Sequence, residues 1–538
     1  MCLKIQPPWP MPRDTGEVGK ILLKPDSPYR LIGDKLFGRF HEQEYADLYP
    51  AEGQPGLSPI ILAFITVFQY LEKMSDRQAA EGIRVRIDWK YALHLPLEYA
   101  GFDYSVLSEF RDRLLKHQAE ERVFDKLVGE FRGMGLIKQR GRQRSDSIAI
   151  LTKVRWLSRL ELVIETLRVT VGAILEANRE WGEEIIPPSW EGRYGERFVM
   201  ARYSEKEWQD YQAHIGEDGQ WLIAHLEGKS VPTEIGKLAE VQMLKTVWAQ
   251  QFREAEGQVV FRQEVNSDGH SLISTPHDAE ARYSKKRGTE WIGGKVQVTE
   301  TDDAGYPHLI TDIAATSSTQ TDYKALPDIQ ARLAERACLP EKHYVDNAYM
   351  GGSNLANSAQ QEIDLIGPIY QSFSKQEQLA DGLTIEQFSI DLEKGQASCP
   401  AGVSVPAQMR TQERIRFHFP DAVCATCPLR PRCCLGQSGR TISVSEAYPL
   451  LQAARQRQVT AEFAHDYHQH RSGVEGCLSA LVRGSGMRTS RYTSNRKRHL
   501  QTVFSATAAN LKRTARWLAG KRPKRYRQPW ELLPQPGG

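Results

Sequence analysis

The spacing of apolar residues changes along the chain, and each change predicts a different kind of element. Across residues 31–134, apolar positions recur every three or four residues, which is typical of amphipathic helices. Ser58 and Pro59 begin one such helix, which continues to Leu71. Residues 1–30 are rich in proline and predict an extended segment. We therefore expect a helical N-terminal domain over residues 31–134.

The region after residue 134 alternates between strand and helix patterns. A β-branched run at 145–151 predicts a first strand, and the patterns at 154–181 and 234–255 predict helices rather than a pairing strand. A hairpin, a helix and two more strands are then predicted, in this order, at residues 295–313, 328–337, 342–346 and 363–369. This order predicts an α/β fold in which residues 152–285 form a mainly helical insertion after the first strand, because a loop of that length would be unusual.

Three acidic residues stand where these elements would bring carboxylates to a shared site. Asp146 lies in the first strand, Asp346 closes the strand at 342–346, and Glu475 lies in a later stretch of helical periodicity. Taken singly, such an acid is most often a helix cap or a solvated strand end. Taken together, three acids form an oxygen cage that suits Mg²⁺ or Mn²⁺, and two such ions activate a nucleophile and stabilise a leaving oxygen in phosphoryl transfer.

The contexts of these acids, in this order, resemble the DDE transposases of bacterial insertion sequences. The resemblance extends to the N-terminal helical region, the Arg-Leu-Glu-Leu-Val pattern at 159–163, the segment 283–295 and a cysteine cluster before the glutamate. It implies an RNase-H-like catalytic domain, a mixed sheet flanked by helices. It also implies metal-dependent cleavage of DNA at the element's ends, after which the liberated 3′-hydroxyl attacks target DNA.

The resemblance also implies the cofactors and partners. Asp146, Asp346 and Glu475 would hold two Mg²⁺ or Mn²⁺ ions. The partners would be double-stranded DNA, both terminal inverted repeats and target, and a second copy of the chain, because two ends must be handled together. In this family the N-terminal region is taken to contact terminal DNA, whereas from the residues alone a dimerisation module is equally open for 31–134.

Arg471 precedes Glu475 by four residues, where one continuous helix would put both side chains on one face. It could assist catalysis by holding that carboxylate or by contacting a phosphate, and an ordinary surface ion pair is the alternative. Related transposases show Tyr, two residues, Arg, three residues, Glu, six residues and Lys. Here the Arg and Glu match, whereas His468 and Val482 occupy the Tyr and Lys positions. The nearby His470 is expected to contact phosphate or solvent.

Charge is segregated along the 538 residues. The formal net charge is +3, yet residues 476–530 contain no Asp or Glu. They contain fourteen Lys or Arg, so the remainder is net acidic by about eleven. Apolar helical positions interleave with these charges, which favours an ordered surface for DNA phosphates over a solvated tail. The residues expected to contact DNA are Arg483, Arg488, Arg491, Arg496, Lys497 and Arg498.

Five of the eight cysteines crowd into 36 residues, between positions 399 and 434. A Cys-x2-Cys pair and two further thiolates suit a closed tetrahedral zinc site. Buried or redox-active thiols are the alternative. Cys434 could replace Cys433 as a ligand. The residues expected to bind structural Zn²⁺ are Cys399, Cys424, Cys427 and Cys433.

The composition, 40% hydrophobic and 25% charged residues, is that of an ordinary soluble protein. The longest apolar run is too short to span a bilayer and the N-terminus lacks the order of a signal peptide, so we expect a cytoplasmic, nucleoid-associated protein without membrane contact. The expected divisions are an extended segment (1–30), a helical domain (31–134), a catalytic domain (135–390 and 441–485, with the insertion 152–285), a cysteine-rich segment (395–440) and a basic helix and tail (486–538).

Two other functions are compatible with these residues. A nuclease would use the same acids for hydrolysis without joining, and a strand-transfer assay separates it from a transposase. A transposase-derived, zinc-containing DNA-binding protein would have lost catalysis, and the intact set of acids argues against it.

Overall fold

The computed structural model describes residues 2–6, 9–228, 230–263, 272–286, 288–370, 375–379, 381–411 and 414–522. Within these ranges, no helix is both long enough and apolar enough to cross a membrane.

The N-terminal region is a set of helices around one that is buried on all sides. These helices are α1 (Arg13–Leu22), α2 (Pro28–Leu31), α3 (Pro59–Glu72), α4 (Asp76–Val85), α5 (Ile87–Ala92), α6 (Ser105–Lys116) and α7 (Arg122–Gly133), with short 3₁₀ and π turns between residues 32 and 48. Every residue of α3 up to Leu71 is buried, because apolar side chains cover its whole circumference rather than one stripe. The predicted all-α N-terminal region is confirmed.

Helix α1 contradicts the extended segment predicted for residues 1–30. Its small residues allow a close approach to α5: a Cβ at Gly19 would lie 2.0 Å from the Tyr91 ring. The Thr15 hydroxyl donates to the Leu95 carbonyl at 2.8 Å. This packing against residues far along the chain stabilises a helix that the local, proline-rich pattern does not predict.

The first strand, β1 (Arg142–Leu151), leads into an insertion that has its own hydrophobic core. A capping box explains why the helix predicted from residue 154 begins only at Arg159. The Ser158 hydroxyl accepts from the Glu161 N–H, and the Glu161 carboxylate accepts from the Ser158 N–H at 2.9 Å. The mainly helical insertion is confirmed. Its elements are α8 (Arg159–Ala177), α9 (Arg179–Ile185), α10 (Trp190–Tyr194), α11 (Glu205–Leu226), α12 (Thr233–Gly236), α13 (Ala239–Gln251), β2 (Phe252–Ala255) and β3 (Gln258–Phe261).

The central sheet is mixed. The elements that follow the insertion are β4 (Arg282–Lys286), β5 (Thr289–Thr301), β6 (Ile310–Ser317), α14 (Asp322–Glu335), β7 (Lys342–Tyr344), α15 (Gly352–Gln360) and β8 (Asp364–Ile366). The strands among them join β1 in the sheet. Strand β5 pairs antiparallel with β1 on one side and with β4 and β6 along successive halves of its length. On the other side of β1, β7 and β8 are parallel to it. The predicted RNase-H-like sheet flanked by helices is confirmed.

The cysteine-rich region forms a small antiparallel sheet with a separate core. Its strands are β9 (Ser389–Asp391), β10 (Gln396–Ser398), β11 (Ser404–Arg410), β12 (Ile415–His418) and β13 (Thr441–Val444). Two short helices, α16 (Asp421–Ala425) and α17 (Arg430–Cys433), lie between β12 and β13 and carry cysteines.

The C-terminal helices return the chain to the central sheet. They are α18 (Tyr448–Gln458), α19 (Ala461–Arg471), α20 (Gly473–Ser485) and α21 (Asn495–Leu518). Helix α21 packs against both α3 and β6, and its apolar residues Phe504 and Leu511 are fully buried. The basic segment is therefore a core helix that joins the N-terminal region to the sheet. The tail predicted beyond residue 522 lies outside the described residues.

A buried histidine in β7 predicts a pH-dependent stability. Burial lowers the pKa of His343 from 6.5 to about 4, and its Nε2 contacts the Ser145 hydroxyl at 2.7 Å. Above about pH 6.5 this histidine is neutral in both the folded and the unfolded protein. As pH falls from about 6.5 to about 4, the unfolded protein takes up a proton that the folded protein excludes, so the free energy of unfolding decreases by up to roughly 3 kcal/mol. Urea unfolding at pH 7 and pH 4.5 is expected to show a smaller pH effect in His343→Asn than in the wild type. An equal effect in both would contradict the prediction.

Candidate active site

Asp146 and Asp346 lie side by side because their strands are parallel neighbours. In the register of β1 and β7, Arg144 pairs with Tyr344, so both acids lie two residues beyond the last matched pair. Adjacent strands are about 4.8 Å apart. The structure thus brings two of the three predicted acids together beside the end of β7.

The charges of this pair act on each other. Burial and then the charge of Asp146 raise the pKa of Asp346 above its ordinary value. The N–H of Ala348 donates to Asp346 Oδ1 at 2.8 Å, and the N–H of Ser147 donates to Asp146 Oδ1 at 2.7 Å. Two repelling carboxylates with hard oxygen donors fit a divalent cation such as Mg²⁺ or Mn²⁺, because an opposite charge favours the ionised form of both.

Arg471 neutralises part of this charge, though not that of the acid expected from the sequence. Its Nη2 lies 2.7 Å from Asp146 Oδ2, and its side chain is only 11% exposed. Helix α19 ends at Arg471 and α20 begins at Gly473, so Arg471 and Glu475 lie on successive helices, not on one helix face as predicted. The interruption between the helices turns the arginine toward β1.

Tyr467 lies one helical turn before Arg471 and interacts electrostatically with Arg471 and with both aspartates. Its hydroxyl donates to the Val345 carbonyl at 3.1 Å. Burial raises the pKa of Tyr467 to about 12, so the side chain remains a neutral donor.

Glu475 stands apart from the two aspartates. It lies in the first turn of α20, and its side chain is exposed and makes no hydrogen bond or ion pair with the described residues. Across the described ranges, no three His, Cys, Asp or Glu side chains are grouped so that they could hold a metal ion. The role of Glu475 as a third ligand therefore stays a prediction.

Asp322, which the sequence did not suggest, adds a buried carboxylate close to the pair. Its charge contributes to the raised pKa of Asp346. Gln297 Nε2 donates to Asp322 Oδ1 at 3.1 Å, and Lys295 Nζ lies 3.4 Å from the same oxygen. An aspartate in the first turn of a helix is common, so the sequence carried no signal for this placement.

A buried ionic network holds the end of α19 over β1. Arg144, only 4% exposed, contacts Glu300 and Asp302 at 2.7 Å each and donates to the His470 carbonyl at 2.8 Å. The His470 ring in turn lies 2.6 Å from Asp302, so His470 is buried in this network rather than facing phosphate or solvent as predicted. Because His470 directly precedes Arg471, the network positions the guanidinium that contacts Asp146.

Gly473 is required beside this network. A Cβ at that position would lie 2.2 Å from Arg144 Nη1, so any other residue would displace the guanidinium. Sequence reasoning missed Arg144 because a single arginine in a strand reads as a solvated residue; only its partners identify it as a buried one.

The five clustered cysteines line one small pocket. Burial raises the pKa of Cys433, and burial followed by the neighbouring Cys433 raises the pKa of Cys434 to about 12. A raised pKa favours the neutral thiol when no metal is bound, and zinc binds cysteines as thiolates. In the described part of the chain, however, no three of them are grouped closely enough to hold an ion, so the pocket collects the donors without forming a closed site.

The six basic residues expected at DNA divide into two sets. Arg498 is fully buried against Asp278, with Nη1–Oδ2 at 2.5 Å, and Arg496 contacts Glu120 at 3.2 Å. Arg491 donates to the Met74 carbonyl at 3.0 Å, and Lys497 lies 3.6 Å from Asp112. These four side chains therefore hold α21 and the segment before it against other parts of the chain.

Arg483 and Arg488 form the second set. Both are exposed, and neither side chain makes a hydrogen bond or ion pair with the described residues. They lie at the end of α20 and just after it, and among the six predicted residues they are the ones whose charge has no partner within the described ranges.

Comparisons with known proteins match both ends of the chain. A family model described as "Transposase DDE domain" matches residues 398–515, which include Arg471 and Glu475. Another, described as "Transposase domain (DUF772)", matches residues 18–113. Asp146 and Asp346 lie outside both ranges. No curated protein and no solved structure gives a match. Both matches are to transposase families, so over residues 18–113 and 398–515 the chain is similar to DDE transposases of the insertion-sequence type.

Proposed function

We propose that the protein cleaves DNA at the ends of its insertion sequence and transfers the liberated 3′-hydroxyl ends into target DNA. The observation that carries this proposal is the pair Asp146, within β1, and Asp346, just after the end of the parallel neighbour β7, with Asp346 at raised pKa beside the charge of Asp146. Such a pair suits divalent-metal phosphoryl transfer, because a bound cation would offset the repulsion that Arg471 offsets only in part.

Each residue of the candidate site would have its own role. Asp146 and Asp346 would hold Mg²⁺ or Mn²⁺, and Glu475 would reach the same cation from the start of α20. When bound, two such ions activate an attacking oxygen and stabilise a leaving one. Arg471 would hold Asp146 in place and limit its repulsion with Asp346. The Arg144 network would keep Arg471 in that position.

A strand-transfer assay tests the proposal. Purified protein, a duplex carrying a terminal inverted repeat with a free 3′-hydroxyl, and a target plasmid are incubated with Mg²⁺ or with EDTA. We expect joined products only with the metal. Cleavage without any joining would instead identify a nuclease that uses the same acids.

For the DNA interface, we infer that Arg483 and Arg488 contact phosphates. Each phosphate contact contributes about 0.9 to the slope of log affinity against log salt, so Arg483→Ala with Arg488→Ala is expected to reduce that slope by about 1.8. Arg496→Ala is the matched control, because its side chain is paired with Glu120 and its loss is expected to leave the slope unchanged. A slope unaffected by the double change would place the DNA elsewhere.

For the cysteine-rich sheet, we infer a structural zinc ion bound by Cys399, Cys424, Cys427 and Cys433, with Cys434 as the alternative to Cys433. The support is chemical, since five thiols line one pocket. Metal analysis of freshly purified, reduced protein is expected to find about one zinc per chain, and Cys427→Ser is expected to lose both the zinc and the folding of 395–440. Cys338→Ala, which lies outside the pocket, should keep the zinc. Wild-type protein free of zinc would refute this inference.

We further propose that the active protein is a homodimer on double-stranded DNA, because both ends of an element must be handled together. Either terminal DNA contact or dimerisation would suit the N-terminal helices. Sedimentation of the wild type with and without terminal-repeat DNA is expected to show two chains per paired complex.

A further inference from the structure

A tight turn holds Asp346 just after the end of β7. The Tyr349 N–H donates to the Asp346 carbonyl at 3.3 Å, which closes the turn. Within the turn, the Asp346 carboxylate accepts from the Ala348 N–H, a bond that is typical of an aspartate at the start of a turn. The Asn354 side-chain amide donates to the Tyr349 carbonyl at 2.7 Å. The orientation of the Asp346 carboxylate therefore depends on where this turn is fixed.

The side chain of Tyr349 ties the turn to the central sheet. It is fully buried, and its hydroxyl donates to Gln297 Oε1 at 2.5 Å. Gln297 is also fully buried and lies on β5 opposite Ser147, the residue that follows Asp146 in β1. One buried hydrogen bond thus joins the turn that carries Asp346 to the strand pair that carries Asp146.

Gln297 is itself held at both ends of its amide. Its Nε2 donates to Asp322 Oδ1 at 3.1 Å, and the Asp322 carboxylate also contacts Lys295, two residues before Gln297 on β5. Lys295 Nζ donates in turn to the Gln320 carbonyl at 3.0 Å. Because an unpaired buried polar group is costly, the amide cannot rotate away from Tyr349 without losing a bond at each end.

This chain of hydrogen bonds lies on the opposite face of the sheet from Arg471. Adjacent residues of a strand point to opposite faces, and paired residues share a face. Asp146 is opposite Val298, so Gln297, next to Val298, lies on the other face. Arg144, two residues before Asp146, shares the Asp146 face, and its network holds Arg471 there. The carboxylate pair is therefore held from both faces of the sheet.

We propose that Tyr349 and Gln297 are positioning residues that set the separation and orientation of Asp146 and Asp346 for a divalent cation. The proposal rests on the proposed function, which gives the two carboxylates a common ion. The tyrosine and the glutamine would act through the turn and the strand rather than as ligands. Side chains that orient metal ligands typically contribute 10–100-fold to metal affinity. A merely structural role would lower stability and leave the metal affinity unchanged.

Titration of the DNA-free protein with Mn²⁺ tests this role, with free Mn²⁺ measured by electron paramagnetic resonance. The binding that is lost in Asp346→Asn identifies the site. Tyr349→Phe removes only the hydroxyl, and we expect it to raise the dissociation constant of that site roughly 10-fold or more. Tyr70→Phe is the matched control, because it removes an equally buried hydroxyl that contacts Tyr492 at 3.3 Å, and it should bind Mn²⁺ as the wild type does.

A second variant removes the next link of the chain. Gln297→Met keeps a similar volume and should weaken Mn²⁺ binding to a similar extent. The double variant with Tyr349→Phe should be little worse than either single variant, because both changes break the same chain.

Three outcomes would overturn the proposal. They are an unchanged Mn²⁺ affinity in Tyr349→Phe, additive losses in the double variant, and a wild type without an Mn²⁺ site that depends on Asp346. Failure of the proposed function has a different signature. The wild type would then bind Mn²⁺, and Tyr349→Phe would bind it more weakly, while terminal-repeat DNA was neither cleaved nor joined.

Discussion

Asp346→Asn is expected to abolish both cleavage and strand transfer while the protein still folds and binds DNA. The amide keeps the shape of the side chain but removes a negative charge from the proposed metal site. Loss of a metal-held nucleophile should lower the rate at least roughly 10³-fold, or about 4 kcal/mol of transition-state stabilisation. Asp146→Asn and Glu475→Gln should behave alike. A double change should be little worse than a single one, because the acids act as a unit.

Thermal unfolding separates this effect from misfolding. Burial and the charge of Asp146 raise the pKa of Asp346, so the neutral amide should leave the metal-free protein as stable as the wild type or more stable. Added Mg²⁺ should raise the midpoint of the wild type and not that of the variant.

Asp364→Asn, on the next strand, is the matched control for the same assays. That carboxylate is about 40% exposed and pairs with Arg457 at 2.7 Å, so its loss should leave both reactions near normal. Near-normal cleavage by Asp346→Asn would refute the assignment of the site.

Arg498→Ala is expected to destabilise the protein by about 3–5 kcal/mol, because it leaves a buried carboxylate without its partner. Arg498 and Asp278 both have side chains that are 0% exposed, and the arginine also donates to the Asn495 side chain at 2.6 Å. Chemical unfolding should show the loss directly. Lys497→Ala, the neighbouring change on an exposed pair, should cost no more than about 1 kcal/mol.

A second variant tests whether the loss of stability comes from the unpaired charge rather than from any change at position 498. Replacing both partners, Arg498→Met with Asp278→Leu, should recover most of the stability, because neither side chain then leaves an uncompensated charge. If Arg498 instead faced phosphate, Arg498→Ala would fold with normal stability and lose about 0.9 of the salt slope. That outcome would contradict the structure.

Much of the fold could be predicted from local sequence patterns. The Ser58-Pro59 start and continuous apolar run of α3, the β-branched run of β1 and the hairpin of β5 and β6 each express a local rule. These elements were predicted to within a few residues. The boundaries moved where a side chain capped a helix, as at Ser158, or where distant packing stabilised one, as at Gly19 in α1.

What the sequence by itself determined is the identity and order of the chemical groups: Asp146 and Asp346 in strands, Glu475 in a helical stretch, thiols close together and cations collected near the C-terminal end. Their types and local spacing depend on neighbours along the chain, which a sequence displays. Only the tertiary structure decided which groups meet. It placed Arg471 on Asp146 and buried Arg498 on Asp278, because ion pairs form between elements hundreds of residues apart whose approach depends on the packing of the whole core.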